Sequence, residues 1–165
     1  FEGRRGPPLP AERRVEGDVM YTYTRVTTST GRPVVLVATS TLDDVRRSVK
    51  ALVAVGDGID GPQDRLLGLP LELLLEAVPA TGPGEARVLV LFRGEPLPGL
   101  LLTATPRSAP EAARAARSGG EGRAVLLLDR PGPWLVEGVH MAAASGSAAE
   151  WESWWTSLTF AIPAP

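Results

Sequence analysis

Ser147–Leu158, SAAEWESWWTSL, is the stretch whose reading decides the fold. Ser147 and Glu150 make a capping-box pair, in which a hydroxyl and, three residues on, a carboxylate satisfy the exposed amides of a first helical turn. Trp151, Trp154, Trp155 and Leu158 follow at i, i+3, i+4 and i+7, the spacing of one helical face. This pattern predicts a closing helix anchored on a sheet by its tryptophans, with Thr159–Ile162 as a short edge strand. Adjacent tryptophans diverge by about 100° on a helix. Trp154 or Trp155 is therefore also a candidate interface anchor.

The same grammar runs through the rest of the chain. VMYTYTRVTT (Val19–Thr28) is rich in β-branched and aromatic residues and reads as a strand; a turn at Ser29–Arg32 leads into a second strand, VVLVATS, after Pro33. Thr41 then caps a predicted helix with Asp43 and Asp44 in its first turn, Leu42, Val45, Val49, Leu52 and Val53 on one face, and Gly56 as its stop. A second helix is expected from Pro70, with Leu71, Leu74, Leu75 and Val78 facing the core. Ala86–Arg93 and Leu100–Thr105 read as a hairpin, followed by a capping box at Ser108–Glu111 and a helix to about Arg117. Arg123–Asp129 and Trp134–Ala143 read as the last hairpin, leading to the Trp-rich segment. The last two units align, Arg87 with Arg123, as a weak repeat of roughly 36 residues.

The expectation is an α+β domain: an antiparallel sheet of about three β-hairpin–helix units with the helices packed on it. It spans residues 18–165, after a Pro- and charge-rich arm, 1–17, expected to be flexible. Val34–Ala38, Val88–Phe92 and Val125–Leu128 are apolar without alternation, which predicts burial on both faces. The second face then needs its own cover: the segment near Leu71, the arm or a second subunit.

Composition removes whole classes of function. With 44% hydrophobic and 22% charged residues the chain is globular rather than disordered. A net charge of −2 makes no case for nucleic acid, and the apolar runs are too short to span a bilayer. The chain has no Cys, which excludes disulfides, thiol catalysis and thiolate metal sites. Its one His rules out a His-pair metal site, and neither a metal nor a cofactor is expected. A start at Phe1 rather than Met suggests a fragment preceded by an anchor or another domain, and the heavy use of Ala, Arg, Gly and Pro suggests a bacterial source.

Few residues suit chemistry. The loop Gly56–Asp64 carries Asp57, Asp60 and Asp64, but it lacks the alternate carboxylates and closing Glu of a calcium loop and reads as a turn. His140 shares a strand face with Trp134 and Val136, while Glu137 points the other way, so Glu137 is not its catalytic partner. No Gly-x-Ser-x-Gly elbow is present, and SGGEG is not placed as a dinucleotide loop. No catalytic residue is assigned.

PVVLVATSTLDDVRRSVKALV (Pro33–Val53) resembles the membrane-proximal end of extracytoplasmic sensor segments of bacterial histidine kinases, although Gly56–Asp64 replaces their membrane span. VEGVHMAAASGSAAEWESWWTSLTF (Val136–Phe160) is similar in rhythm to the closing strand–helix–strand of PsbP-like bacterial lipoproteins. Both imply a location outside the cytoplasm, secreted or membrane-anchored. The reading that results is a non-catalytic cell-envelope domain that binds a protein partner or a second copy of itself. Two alternatives stand beside it. One is a sensor domain whose apolar pocket, between sheet and helices, takes a small ligand and is lined by Trp134, His140 and Tyr23. The other is a hydrolase using His140 with an acidic or seryl partner.

Overall fold

A computed structural model describes residues 11–16, 19–24, 34–42, 45–53, 64–144 and 150–165. The described chain is built of strands: β1 (Ala11–Glu16), β2 (Val19–Thr24), β3 (Val34–Leu42), β4 (Val45–Val53), β5 (Leu71–Ala77), β6 (Gly84–Phe92), β7 (Glu95–Pro96), β8 (Leu101–Pro106), β9 (Arg114–Arg117), β10 (Arg123–Leu128), β11 (Gly132–Ala143) and β12 (Trp151–Ile162). β1 and β2 pair as an antiparallel hairpin. One sheet has the order β10-β6-β5, with β7 folded back on β6; the other has the order β3-β4-β12-β11-β8-β9. All pairings are antiparallel except β12 with β4, which run parallel.

These two sheets face each other across one core. Leu71, Leu73, Leu75, Ala86, Val88, Val90, Leu126 and Leu128 line the inner side of the smaller sheet. Leu102, Ala104, Trp134, Val136, Trp154, Leu158, Phe160 and Ile162 line the inner side of the larger one. Alternation along each strand sends every second side chain inward, which is the packing of a β-sandwich.

The expected α+β architecture is therefore overturned, because each predicted helix is a strand. Among the described residues the only helical element is a three-residue 3-10 turn, Pro110–Ala112. The helix after Thr41 is β4, the helix from Pro70 is β5, the helix after Ser108 is that turn followed by β9, and the Trp helix is β12. Thr159–Ile162 belongs to β12, a central strand rather than an edge. Spacing by four residues preserves the face of a strand as well as that of a helix, so Trp151 with Trp155, and Trp154 with Leu158, satisfied both periods. The residues in between settle it: Glu152, Thr156, Phe160 and Ile162 are buried in step with Trp154 and Leu158.

The hairpins are also re-partnered. β2 pairs with β1, and β3 pairs with β4 rather than with β2, so the strand-into-helix form implied for Pro33–Val53 is a hairpin. β6 and β8 lie in different sheets, as do β10 and β11. The chain thus passes between the sheets four times, and two of these passages, β7 to β8 and β10 to β11, fall within the two aligned units. Burial on both faces holds for β6, the central strand of its sheet. It fails for β10, whose Val125 and Leu127 face outward, Leu127 at 63% exposure, and for β3, where Val37 is exposed. The expected turn at Ser29–Arg32, the first-turn Asp43 and Asp44, residues 56–63 of the Asp/Gly loop and the capping Ser147 lie outside the described residues, as do residues 1–10 and 17 of the arm.

Candidate functional site

β4 reads VRRSVKALV, and its inward positions are Arg46, Ser48, Lys50 and Leu52. A lysine facing a core must find partners for its charge, since an unpaired buried charge costs several kcal/mol. Lys50 Nζ donates to Glu72 Oε1 at 3.0 Å, to Asp64 Oδ1 at 3.1 Å, to Leu73 O at 2.9 Å and to Arg65 O at 3.1 Å. The three side chains are 2%, 0% and 2% exposed for Lys50, Asp64 and Glu72. Backbone amides balance the second carboxylate: Asp64 accepts from Arg65 N (2.7 Å) and Leu75 N (2.9 Å), and Glu72 from Leu67 N (2.7 Å) and Leu69 N (3.1 Å). No buried side-chain polar atom among the described residues is left without a partner.

The cluster joins the two sheets. β5 is the edge of the smaller sheet, and an open edge presents unpaired N–H and C=O groups. Lys50 takes the Leu73 carbonyl and Asp64 the Leu75 amide, so the clasp also covers that edge. In doing so it pins the segment Asp64–Pro70.

That pinned segment forms one wall of a cleft of about 520 Å³ lined by Arg46, Leu69, Pro70, Arg93, Glu152 and Trp154, with Gly68 and Gly94. Arg93 and Gly94 are the two loop residues of the β6–β7 hairpin, with φ of 53° and 88°. Positive φ at both loop positions is the type I′ pattern, which matches the twist of paired strands. The Arg93 amide donates to Pro70 O at 2.7 Å, tying the turn to the wall. The Arg93 guanidinium lies 5.0 Å from the Phe92 ring centre and 5.6 Å from that of Trp154, within cation–π range. Arg46 lies 5.7 Å from Trp154 and bridges to Glu152 at 2.9 Å.

His140 stands beside this cleft. Its ring meets Phe92 edge-on at 4.6 Å and sits 6.0 Å from Trp154, its cross-strand partner. Burial holds its pKa below the ordinary 6.5, so it is neutral at pH 7. Among the described residues no Ser or carboxylate hydrogen-bonds His140, whose ring neighbours are aromatic.

The sequence-predicted residues separate. His140 and Trp154 come together. Trp134, fully buried, is opposite Phe160 and Pro106, and its indole N–H donates to Arg130 O at 3.1 Å. Tyr23 lies on β2 opposite Glu12. Trp155 points to the other face of its sheet, 45% exposed, with Arg47 over its ring at 5.5 Å. Spacing did not reveal Arg46, Lys50, Arg93 or Glu72. Asp64 was noticed only as part of a loop. The available signal was Lys50 between Val49 and Ala51 in a strand-like run.

The outer face of the larger sheet is the second surface. Arg47 pairs with Trp155 across β4 and β12, Trp155 with Val139 across β12 and β11, Val49 with Ser157, and Ser157 with Glu137. With Leu101 they line a shallow trough of about 660 Å³. Val49, Leu101, Val139, Met141, Trp151 and Trp155 are all exposed large hydrophobics, and all but Leu101 and Val49 lie on the adjacent strands β11 and β12.

Among the described residues no group of three or more His, Cys, Asp or Glu side chains could hold a metal ion. No helix among them is long and apolar enough to cross a membrane. Residues 20–142, from within β2 to within β11, match the family described as "Domain of unknown function (DUF4198)". No curated protein matches the chain, and no solved structure does.

Proposed function

We propose that this chain, which belongs to the DUF4198 family, is a non-catalytic binding domain that works by protein contact through the outer face of its larger sheet. One observation carries the reading: Trp155, Val139, Val49 and Leu101 are exposed together around one trough, where a polar surface would be the ordinary outcome. Contiguous apolar patches of this kind mark interfaces on soluble domains, and aromatic residues and Arg are enriched in such interfaces.

The occupant proposed is a second copy of the chain. Arg47 lies on the β4 side of Trp155, and Glu137 on the β11 side of Ser157. A two-fold axis running along β12 lays β4 of one copy over β11 of the other and brings Arg47 towards Glu137 of its mate, so the face is complementary to itself. Sedimentation equilibrium tests this: a concentration-dependent dimer, converted to a monomer by Val139→Glu with the fold intact by circular dichroism, is expected. A monomer throughout the micromolar range overturns it.

The same proposal places the domain outside the cytoplasm. A cysteine-free chain folds alike in oxidising and reducing compartments, so its chemistry is compatible with that setting. Fractionation of the native cells is the test, and recovery in the cytosol alone overturns this part.

A further inference from the structure

We propose that the cleft at the Arg93 turn is a binding site for a carboxylate carried on a flat apolar body. This site is separate from the outer sheet face and does not depend on it.

Arg93 occupies a left-handed position, φ 53°, that favours Gly, Asn or Asp over a long side chain. An arginine there gives the turn a guanidinium within cation–π range of both Phe92 and Trp154. The two rings hold the guanidinium by cation–π attraction, which takes up none of its N–H donors, and a planar fork of donors matches a carboxylate. No carboxylate meets Arg93 among the described residues, whereas Arg46 is already bridged through Nη1 to Glu152. Two arginines against one glutamate leave the cleft with a single positive charge, which suits a monoanion.

The walls complete the site. Pro70 supplies an exposed apolar wall above the buried Leu69 and Trp154, while Gly68 and Gly94 border open space: a Cβ built on either would meet nothing within 4 Å. The wall does not depend on the ligand for its shape, because Glu72 holds the Leu67 and Leu69 amides and Pro70 O holds the Arg93 amide. Preorganisation of this kind lowers the cost of binding. The carboxylate could belong to a small aromatic acid or to the C-terminus of a peptide ending in an apolar residue.

The test is titration of the full chain with sodium benzoate and, separately, with acetyl-Ala-Phe and its C-terminal amide. The readouts are calorimetry and the indole N–H resonance of Trp154. Expected is saturable binding of benzoate or of the free-acid peptide, none of the amide, and a loss of about tenfold or more in affinity for Arg93→Gln, the scale of one charge-assisted contact. Arg93→Gly serves as the second variant. It relieves the left-handed position, so its melting temperature should equal or exceed that of the wild type while binding is lost. Absence of saturable binding by either carboxylate, equal binding of the amide, or undiminished binding by Arg93→Gly overturns the proposal.

Discussion

Lys50 on β4 and Glu72 on β5 meet at 3.0 Å, so that a single buried ion pair ties the larger sheet to the edge of the smaller one. The pair does not stand alone, because Asp64 closes it from the Asp64–Pro70 segment at 3.1 Å. A buried lysine with two carboxylates is a specific device rather than a strong source of net stability, since desolvation offsets much of the attraction. What it secures is placement: the wall of the Arg93 cleft hangs from it.

Breaking the pair from one side should be costly. Lys50→Met leaves Asp64 and Glu72 buried without their cation, and urea denaturation should show a loss of about 3–5 kcal/mol. Lys50→Met combined with Glu72→Leu should recover part of that loss, as a non-additive cycle. Equal destabilisation by the single and double variants would contradict the pairing.

The neighbouring tryptophans should respond oppositely. Trp154 is 3% exposed and packed in the core, so Trp154→Ala should cost about 3–5 kcal/mol. Trp155 is exposed on the outer face, so Trp155→Ala should change the stability of the isolated domain by less than about 1 kcal/mol. Thermal melts of both at a dilution that suppresses association distinguish them.

Acid should weaken the fold through His140. Its folded pKa lies below the unfolded value of about 6.5, because burial disfavours the charged ring. Stability is then full above pH 6.5. It falls as the pH drops through the folded pKa, where the unfolded chain takes up the proton more readily. His140→Phe should show a flatter melting temperature than the wild type between pH 7 and pH 5. Parallel curves would show that His140 is not the group responsible.

Gly122 should tolerate no side chain. It has φ of +74°, and a Cβ there would lie 2.7 Å from Val90 O and 3.1 Å from Leu97 N. Both atoms are backbone, bonded to each other at 3.0 Å, and Val90 N also donates to Gly122 O. Gly122→Ala should cost about 2 kcal/mol or more by combined strain and clash. A chemical-denaturation midpoint equal to that of the wild type would contradict this.

Much of the strand content was legible from composition alone. VMYTYT, RAVLLL and the β-branched run of β3 read as strands because aromatic and β-branched side chains suit a pleated surface. The misreading of β4 and β12 has a physical cause. On β4, Val49 and Val53 point outward while Arg46 and Lys50 point inward; on β12, Trp151 and Trp155 point outward while Glu152 is buried. β4 is thus the reverse of a strand covering a core, whereas β12 keeps an apolar inner face of Trp154, Leu158, Phe160 and Ile162 and adds outward tryptophans. Their outward hydrophobics recur every four residues and so imitate a helical stripe. His140 was singled out on its strand and Trp154 on an expected helix, and the two rings lie 6.0 Å apart. Lys50 and Arg93 were not, because their roles depend on partners far along the chain and on a turn conformation that no local pattern specifies. Such violations of local pattern are expected where a sequence serves function as well as folding.

The self-complementary outer face is the claim on which the functional account rests, and reversing its charges tests it directly. Arg47→Glu and Glu137→Arg chains would be prepared separately and then mixed. A two-fold along β12 turns Arg47 of each copy towards Glu137 of its mate, so each variant alone should sediment as a monomer, because like charges then meet, and the equimolar mixture should form a heterodimer in which both opposite-charge pairs are restored. A mixture that sediments no differently from the separate variants would contradict the account.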